Sequence, residues 1–352
     1  MKVKAVSFSG AAAKSWGRTN PAVQSASDSL WDAVCTSEGA AQPTLDALRQ
    51  YPATPPTPGR GGTGALWEFF ASVAAQDLVA ARALEPHFDA AAILEQAGLP
   101  WHPGTTWGVF AAEGPGLRLE ASEHRGRWQL NGDKPWCSLA GDLTHALLSA
   151  HVPGGRRLFT VRLDDPGVQP AATAWVSRGL ASIPSVPVHF EQVSAEPVGE
   201  VDWYLKRTGF AVGGVGVAAC WFGGAVGLFR HLFHSAQRRA PDQLALSWLG
   251  EADTLLASGA ATLFRAAEQA DALQLGPRQA SEVRGQIAGI CERMLQISAH
   301  ATGPGPLSLD ENHARRVADL SIYLRQHHAA RDEAALGSIL LEETQETGVN
   351  PW

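Results

Sequence analysis

The sequence predicts an α+β protein in which helices come first, a small antiparallel β unit follows and a helical bundle ends the chain. Residues 65–98 are rich in helix formers, with apolar residues three and four positions apart. Residues 105–200 hold short apolar runs separated by Gly, Pro and Asp, which is typical of antiparallel strands. Long stretches rich in Ala, Leu and Arg then return. We expect an N-terminal mostly helical domain over 1–104, a central antiparallel β-barrel or sandwich over 105–200, and a C-terminal four-helix bundle over 201–352.

The central unit is expected to contain five or more strands. In "VPVHF" (186–190), apolar and polar residues alternate, as they do on a strand with one buried face. In "RGRWQLNGDKPWCSLAG" (125–141), an alternating run is followed by Asn131-Gly132, a dipeptide typical of tight hairpin turns. We therefore expect two strands joined at Asn131-Gly132, with Trp136 near the start of the second strand.

The C-terminal stretches predict four helices joined by short loops, which favours an antiparallel bundle; they lie at 203–237, 243–272, 277–299 and 312–336. Within the first of them, the 20 residues Phe210–Phe229 contain no charged residue, a length that reaches across a bilayer. The segment contains six glycines, no long Leu/Ile run and no counterpart elsewhere in the sequence. We expect a buried core helix and no membrane span.

Composition narrows the class of protein. The chain has 352 residues and a net charge of -7, which gives no support to nucleic-acid binding. Its four cysteines lie far apart and form no CxxC pair, so neither a zinc knuckle nor a disulfide framework is expected. The N-terminal "MKVKAVSFSGAAAKSWGR" has no sustained apolar region, so no secretory signal is predicted. A cytoplasmic location follows as the expectation.

Three motifs carry more than one interpretation. "GVGVAA" (214–219) fits a dinucleotide fingerprint, but no second strand follows, so close helix packing explains its glycines better. In "HHAARD" (327–332), His328 and Asp332 lie one helical turn apart, as two metal ligands could, but no third ligand is indicated and the carboxylate can simply pair with an imidazole; we expect no metal. "HATGPGP" (300–306) precedes a helix, and backbone amides at its glycines can approach a phosphate or a flavin edge as well as form an ordinary loop.

The stretch "WQLNGDKPWCSLA" (128–140) resembles a signature of the acyl-CoA dehydrogenase family, in which an aromatic strand, Asn-Gly and Lys precede Trp-x-Thr/Ser-x-Ala. "VPVHFEQVSAEPVG" (186–199) is similar to the next β signature of that family. The order of helices, β unit and helices is also the family's, so the resemblance covers residues 60–335. It implies the acyl-CoA dehydrogenase fold and FAD as cofactor.

The resemblance also implies which residues of the β unit bind the cofactor. Trp136 matches a Trp that lies along the flavin face, and Ser138 matches a hydroxyl residue that hydrogen-bonds near flavin N5. "VFAAEGPG" (109–116) is similar to the strand that carries the flavin, which places Phe110 and Ala112 at the cofactor. The family's usual Thr is Ala112 here, so one side-chain donor is missing, whereas the Glu that follows is kept.

In the helical part, Arg238 matches an Arg that binds the FAD pyrophosphate across a dimer interface, although the family's Phe-Gly is replaced by Pro-Asp. Gly303 and Gly305 are the cofactor-binding glycines expected in the Gly-Pro-Gly loop. The family's usual base is a Glu in a Glu-Gly-Thr turn, which this sequence lacks; counting from Asp319, its place falls on His327. A neutral imidazole can act as a base, so His327 is the expected catalytic residue. Glu251 is a weaker second candidate.

The resemblance implies α,β-dehydrogenation of an acyl thioester or a related small molecule, with hydride passing to flavin N5. The electrons would go to an electron-transfer flavoprotein or a similar acceptor, and the chain would form a homodimer or tetramer. Two alternatives stay open. One is a flavin-dependent monooxygenase or oxidase on the same fold. The other is a non-catalytic binding or assembly protein, because the Gly-Ser-Asp loop of the family is also missing.

Overall fold

The computed structural model describes residues 5–9, 21–51 and 54–350, and for residues 21–26 it describes the backbone alone. Most of the N-terminal stretch examined for a secretory signal lies outside these residues. The chain forms two compact units. The sheet unit comprises residues 16–57 and 82–210, and the bundle unit comprises residues 1–15, 58–81 and 211–352. The division at residues 104 and 200 into three domains stays a prediction.

The sheet unit contains all the strands of the described chain together with helices from both sides of them. Its helices are α1 (Pro21–Thr36), α2 (Gln42–Arg49), residues 82–96 of α4 (Leu78–Gln96), and α5 (Trp203–Lys206). Its strands are β1 (Trp107–Phe110), β2 (Leu119–His124), β3 (Arg127–Ser138), β4 (His145–Val152), β5 (Gly155–Arg162), β6 (Val168–Pro170) and β7 (Ser185–Val198). The prediction of a mainly β segment between helices is confirmed.

The strands form one seven-stranded sheet in the order β1-β4-β2-β3-β7-β5, with β6 paired to β7 and a further β4–β5 pairing. Most ladders are antiparallel, as expected. The expectation of an antiparallel unit is wrong at one edge, because β1 pairs with β4 in parallel over four residues and β2 makes one parallel pairing with β4. A long connection joins β1 to β4, which allows the parallel arrangement.

The expected hairpin at Asn131-Gly132 is wrong. β3 runs through both residues, and the β2–β3 turn is Arg125-Gly126, whose φ angles of 55° and 79° suit a type I′ turn. Gly132 instead lies at a register shift between β3 and β7, with φ 111°. A Cβ at Gly132 would lie 2.3 Å from the backbone oxygen of Arg118, so the close approach of the two backbones requires glycine there.

The core of the sheet unit joins α4 to the sheet. Ile93 and Leu94 of α4 pack with Trp107 of β1, Leu147 of β4 and Leu158 of β5, and all of them are buried. Alternation along β7 buries Val188 and Phe190, while His189 between them faces outward. These contacts fix β1, near whose end part of the candidate site lies, against β4, β5 and α4.

The bundle unit contains α3 (Thr63–Gln76), most of α6 (Thr208–Arg238), α7 (Gln243–Asp271), α8 (Pro277–Thr302), α9 (Pro304–Leu309), α10 (Glu311–Tyr323), a 3-10 turn (Leu324–Gln326) and α11 (Ala330–Thr347). The first three predicted C-terminal helices are confirmed as α6, α7 and α8. The fourth is wrong as one continuous helix, because the chain leaves the helical conformation at His327 and resumes it at Ala330.

The apolar run at 210–229 lies within α6, as predicted. Among the described residues, α6 is the one helix long and apolar enough to cross a membrane, and 72% of its most apolar window is buried inside the protein. Its glycines allow close packing: a Cβ at Gly223 would lie 2.2 Å from the backbone oxygen of Ala71 on α3. The packing interpretation of "GVGVAA" agrees with this, since Gly216 lies against the indole of Trp67.

Candidate functional site

A β-bulge in β3 presents Trp136. Lys134 pairs with Val188 and Cys137 pairs with Val186, so two residues of β3 face one residue of β7. Trp136 takes up the extra length with φ 58°, a conformation that a bulky residue rarely adopts. Its indole is 59% exposed, whereas Cys137 is fully buried. The bulge therefore stores backbone strain to hold an aromatic ring at the surface, a pattern typical of ligand sites.

Ser138 follows two residues later and is nearly buried, with 8% exposure. Its Oγ accepts a hydrogen bond from Nη2 of Arg82 at 2.9 Å and lies 2.7 Å from Oγ of Ser185. Ser185 in turn donates to the backbone oxygen of Ile183 at 3.2 Å. Arg82 comes from α4 and Ser185 opens β7, so three separate elements meet at this hydroxyl.

A small cavity of about 10 Å³ lies beside Ser138, room for about one water molecule. Phe110 and Ser138 both line it, so the structure brings these two predicted residues together. The side chain of Phe110 is buried, and Leu139 and Leu143 supply much of the remaining apolar wall. Trp136 and Ala112 do not line this cavity, although both belong to the same unit and both are exposed.

An ion pair between buried Lys134 and exposed Glu113 supports the backbone between β1 and the bulge. Nζ of Lys134 lies 2.9 Å from Oε1 of Glu113 and 2.9 Å from Oγ of Ser149, and Lys134 is only 1% exposed. Burial lowers the pKa of Lys134, and Glu113 opposes that effect. Burial would raise the pKa of Glu113, but hydrogen bonds from Lys134 and His151 hold it below its ordinary value. The ion pair thus connects Glu113, which follows Ala112, to Lys134, which lies two residues before Trp136.

In the bundle unit, His327 lies just after the 3-10 turn, in an extended conformation, and its side chain is 9% exposed. Its Nε2 lies 3.8 Å from Oδ2 of Asp332, and its ring meets the indole of Trp221 edge-on at 6.3 Å. Burial lowers the pKa of His327, while the carboxylate of Asp332 opposes that effect. The imidazole is therefore neutral at neutral pH, the form that accepts a proton.

Arg284 of α8 holds the segment around His327 in place. Its Nη1 donates to the backbone oxygen of Gly214 at 2.6 Å and its Nη2 to that of Gln326 at 3.2 Å. The guanidinium also lies 4.8 Å from the centre of the Trp221 ring, the distance of a cation–π contact. One arginine thus fixes both the residue before His327 and the ring against which His327 packs.

A groove of about 500 Å³ opens in the bundle unit where α6 ends and α7 begins. Arg238 is the last residue of α6 and is exposed; its neighbour Arg239 lines the groove, as do Trp248 and His300. Thr302 and Pro306, which flank the predicted Gly-Pro-Gly loop, line it too. The structure therefore brings the segment of Arg238 and the segment of the glycines to the same groove.

The two glycines differ in what they contribute. Gly303 ends α8 with φ 64°, which requires a glycine, whereas Gly305 lies inside the six-residue helix α9. A Cβ at either position would meet no atom within 4 Å. Neither glycine is therefore required by close contact with another part of the protein, because the space beside each is open. The cofactor-binding role of Gly303 and Gly305 stays a prediction.

The structure describes no cluster of three or more His, Cys, Asp or Glu side chains able to hold a metal ion, within residues 5–9, 21–51 and 54–350. Asp332 instead lies close to both histidines, with its Oδ1 3.4 Å from Nδ1 of His328.

Sequence reasoning missed Arg82, which contacts Ser138, because the two residues are 56 positions apart in the chain. Its one local signal is a lone cation on the apolar helix segment "LVAARALE".

No protein-family model matches this sequence, and no curated protein matches it. Among solved structures, the chain is similar to KijD3 in complex with FMN and dTDP-3-amino-2,3,6-trideoxy-4-keto-3-methyl-D-glucose, with a TM-score of 0.77, 19% identity, and coverage of 95% of this chain and 96% of KijD3. It is similar to butyryl-CoA dehydrogenase from Megasphaera elsdenii, with a TM-score of 0.76, 16% identity, and coverage of 92% and 98%. It is also similar to dibenzothiophene monooxygenase TdsC from Paenibacillus sp. A11-2, with a TM-score of 0.72, 19% identity, and coverage of 92% and 98%.

Proposed function

The chain has the acyl-CoA dehydrogenase fold, as its sequence resemblance predicted, and from this premise we propose that it is a flavin-dependent oxidoreductase. The observation that carries the proposal is the strained bulge that holds the indole of Trp136 in solvent, with the Ser138 hydroxyl two residues on. A flat apolar ring and a nearby hydroxyl suit the face and the polar edge of an isoalloxazine. When bound, a flavin supplies hydride acceptance or reaction with dioxygen.

In this proposal the residues of the sheet unit bind and orient. Trp136 covers one face of the flavin and excludes water from it, while the Ser138 hydroxyl donates a hydrogen bond near N5. Phe110 and Ala112 lie along the strand end beside the ring. The ion pair of Lys134 with Glu113 keeps the backbone on either side of the bulge in register. Rigid support of this kind is what a cofactor site requires.

His327 is proposed as the group that holds or moves a proton at the substrate. Its imidazole is neutral at neutral pH because burial lowers its pKa, and the Asp332 carboxylate stabilises the charged form once a proton arrives. Under the dehydrogenase hypothesis it removes the α-proton of an acyl thioester or related substrate. The acceptor would then be an electron-transfer flavoprotein or a similar carrier, and the protein a cytoplasmic homodimer or tetramer.

A monooxygenase or oxidase is the second candidate, and specific observations favour it. His327 stands where the family's Glu is expected, and the sequence lacks both the Glu-Gly-Thr turn and the Gly-Ser-Asp loop near a thioester. Two of the similar structures, KijD3 and TdsC, have been solved with FMN. Under this hypothesis His327 donates or accepts a proton at an oxygen atom, and the substrate carries no CoA.

The groove beside Arg238 bears on whether the cofactor is FAD or FMN. FAD is the cofactor that the family resemblance implies, with Arg238 at its pyrophosphate. The groove offers cationic Arg239 and the indole of Trp248, groups suited to a phosphate and an adenine ring respectively. Replacing both Arg238 and Arg239 by Ala should weaken the binding of FAD to the apoprotein and leave FMN binding much less affected. Equal loss for both flavins would remove the groove from cofactor binding.

The proposal is tested first by the absorbance spectrum of the purified protein. We expect flavin bands, and we expect Trp136→Ala and Ser138→Ala each to shift the spectrum or weaken flavin binding about fivefold, the effect of one lost hydrogen bond or ring contact. Trp175→Ala, at a ring distant in sequence from the bulge, is the matched control. A colourless protein that does not take up FMN or FAD would support the non-catalytic alternative.

The reaction is tested with the flavin-loaded protein in two assays. Anaerobic bleaching of the flavin by acyl thioesters supports dehydrogenation. Oxygen consumption that depends on supplied reduced flavin supports the monooxygenase or oxidase. His327→Gln is expected to reduce whichever activity is found while flavin content stays normal.

A further inference from the structure

The hydroxyl of Ser138 is contacted by a cation that the sequence pattern did not point to. Arg82, on the first turns of α4, donates from Nη2 to Oγ of Ser138 at 2.9 Å. Both residues belong to the sheet unit, and the cavity beside Ser138 is lined by Arg82 as well. Arg82 is partly buried, so its guanidinium is held by the protein and is not free in solvent.

The direction of this hydrogen bond is fixed by chemistry. A guanidinium has five N–H donors and no acceptor, so Ser138 must accept from Arg82. A serine hydroxyl has a single proton, and that proton stays available for an acceptor elsewhere. Arg82 therefore prevents the Ser138 proton from pointing toward α4.

Ser185 competes for the same proton. The two Oγ atoms lie 2.7 Å apart, and Ser185 donates its own proton to the backbone oxygen of Ile183 at 3.2 Å. Either hydroxyl can donate across this distance; when the proton of Ser185 is engaged by Ile183, Ser185 is able to accept from Ser138. The proton of Ser138 would therefore have two alternative acceptors once a ligand is bound: Ser185 and an acceptor atom of that ligand.

We propose that Arg82 is a positioning residue that makes Ser138 a dedicated hydrogen-bond donor to a bound flavin. Without flavin, Ser138 donates to Ser185 instead, so Ser185 competes with the flavin for this hydrogen bond. The proposal rests on the proposed function, because it requires a flavin at Ser138. It predicts opposite effects for the two neighbours of Ser138. Loss of Arg82 weakens the contact, whereas loss of Ser185 removes the competitor.

The test is a titration of the flavin-free full-length protein with FMN and with FAD, followed by flavin fluorescence and absorbance. We expect Arg82→Met to weaken binding by about threefold to tenfold, the scale of one hydrogen bond to a charged or neutral group. Arg82→Lys keeps a pure donor and is expected to restore part of the loss. Ser185→Ala is expected to leave binding equal to or tighter than that of the unmodified protein.

A double-mutant cycle separates this role from general support of the fold. In a Ser138→Ala background, Arg82→Met is expected to cause no further loss, because the group through which it acts is gone. Arg82→Met and Ser138→Ala should also shift the flavin absorbance in the same direction. A thermal melt of each variant verifies that the sheet unit is folded.

Three results would overturn the inference. Arg82→Met that binds flavin normally, or that weakens binding as much in the Ser138→Ala background as without it, removes the coupling to Ser138. Ser185→Ala that weakens binding as much as Arg82→Met shows that both act only as structural supports. In these cases the unmodified protein still binds flavin and the proposed function stands. An unmodified protein that binds neither FMN nor FAD overturns the function and the inference together.

Discussion

His327 illustrates how a single residue can be placed by contacts that no sequence pattern contains. Its position after the 3-10 turn depends on Arg284 holding the Gln326 carbonyl and on Ala329, which has a φ of 46°. Helix formers continue on both sides of this break, so periodicity predicts a continuous helix. The break turns His327 against Trp221 while His328 faces solvent.

If His327 is the base, His327→Gln should lower turnover roughly a hundredfold or more, the scale of a lost general base. Activity should rise with pH through an ionisation below the ordinary imidazole value, because burial lowers the pKa of His327. Asp332→Asn should move that rise to still lower pH, because the carboxylate favours the charged imidazole. His328→Gln is the control, since its side chain is 63% exposed. Equal, small effects at both histidines would exclude the role.

Buried histidines should make the protein lose stability in mild acid. Burial, reinforced by His231 and Arg316 and opposed by Asp310, lowers the pKa of His313 to about 4. An unfolded chain binds this proton near pH 6.5, so stability is full above that pH and is lost as the pH falls toward 4. Each unit of separation is worth about 1.4 kcal/mol. Neither ring nitrogen of His313 has a hydrogen-bond partner in the part of the chain that the structure describes.

We expect the free energy of unfolding to decline between pH 6.5 and pH 4, measured by denaturant titration at several pH values. His313→Phe should flatten this decline, because it removes the titrating group from the bundle. His124→Gln, at an exposed hairpin position, is the matched control. A slope unchanged by His313→Phe would assign the acid sensitivity to other groups.

At the scale of secondary-structure elements, two irregularities in the pairing of β3 with β7 determine what β3 can present. Asn131-Gly132 is a strong hairpin signal because it tolerates a positive φ, but β3 is continuous there: the extra residue lies on β7, which includes Gln192 with φ 53°, and Gly132 has φ 111° beside this shift. Sequence reasoning therefore identified the correct backbone conformation and assigned it to the wrong element. The bulge at Trp136 did have a local signal in Pro135, because Pro inside a sheet is confined largely to edge strands, strand starts and bulges; the hairpin interpretation did not use it.

Gly132→Ala tests the first irregularity. Its Cβ would meet the backbone oxygen of Arg118 at 2.3 Å, and a backbone atom cannot move aside as a flexible side chain can. We expect a loss of roughly 1–3 kcal/mol in the free energy of unfolding, the cost of local backbone strain. Gly116→Ala is the control, since Gly116 also has positive φ, 76°, but has no atom within 4 Å of the added Cβ. Equal losses would show that φ alone, and not the close approach, is limiting.

At the scale of the whole molecule, the sequence predicted the order of helices, sheet and helices, because apolar periodicity is a local property. The span of the strands and three of the four long C-terminal helices followed from it. The parallel pairing of β1 with β4 did not, because pairing partners are chosen by tertiary packing. For the same reason the contact of Arg82 with Ser138 joins elements that no motif relates.

The buried position of α6 also leads to a prediction for the whole protein. Because most of its apolar window is covered by the protein itself, α6 has little apolar surface left for lipid. Native protein from a cell lysate should therefore stay in the supernatant of a high-speed spin. Sedimentation with membranes that resists high salt would contradict the burial of this helix.

The sequestered amine of Lys134 gives the protein a chemical reporter of its own opening. The chain has five lysines, at positions 2, 4, 14, 134 and 206. Lys206 is 77% exposed, whereas Lys134 is held by Glu113 and Ser149 at 1% exposure. An amine-reactive reagent therefore labels Lys206 at once but reaches Lys134 only when β3 separates from the end of β1. The rate of that second acylation, followed by mass spectrometry of the peptide containing Trp136, therefore measures how often the sheet opens beside the bulge.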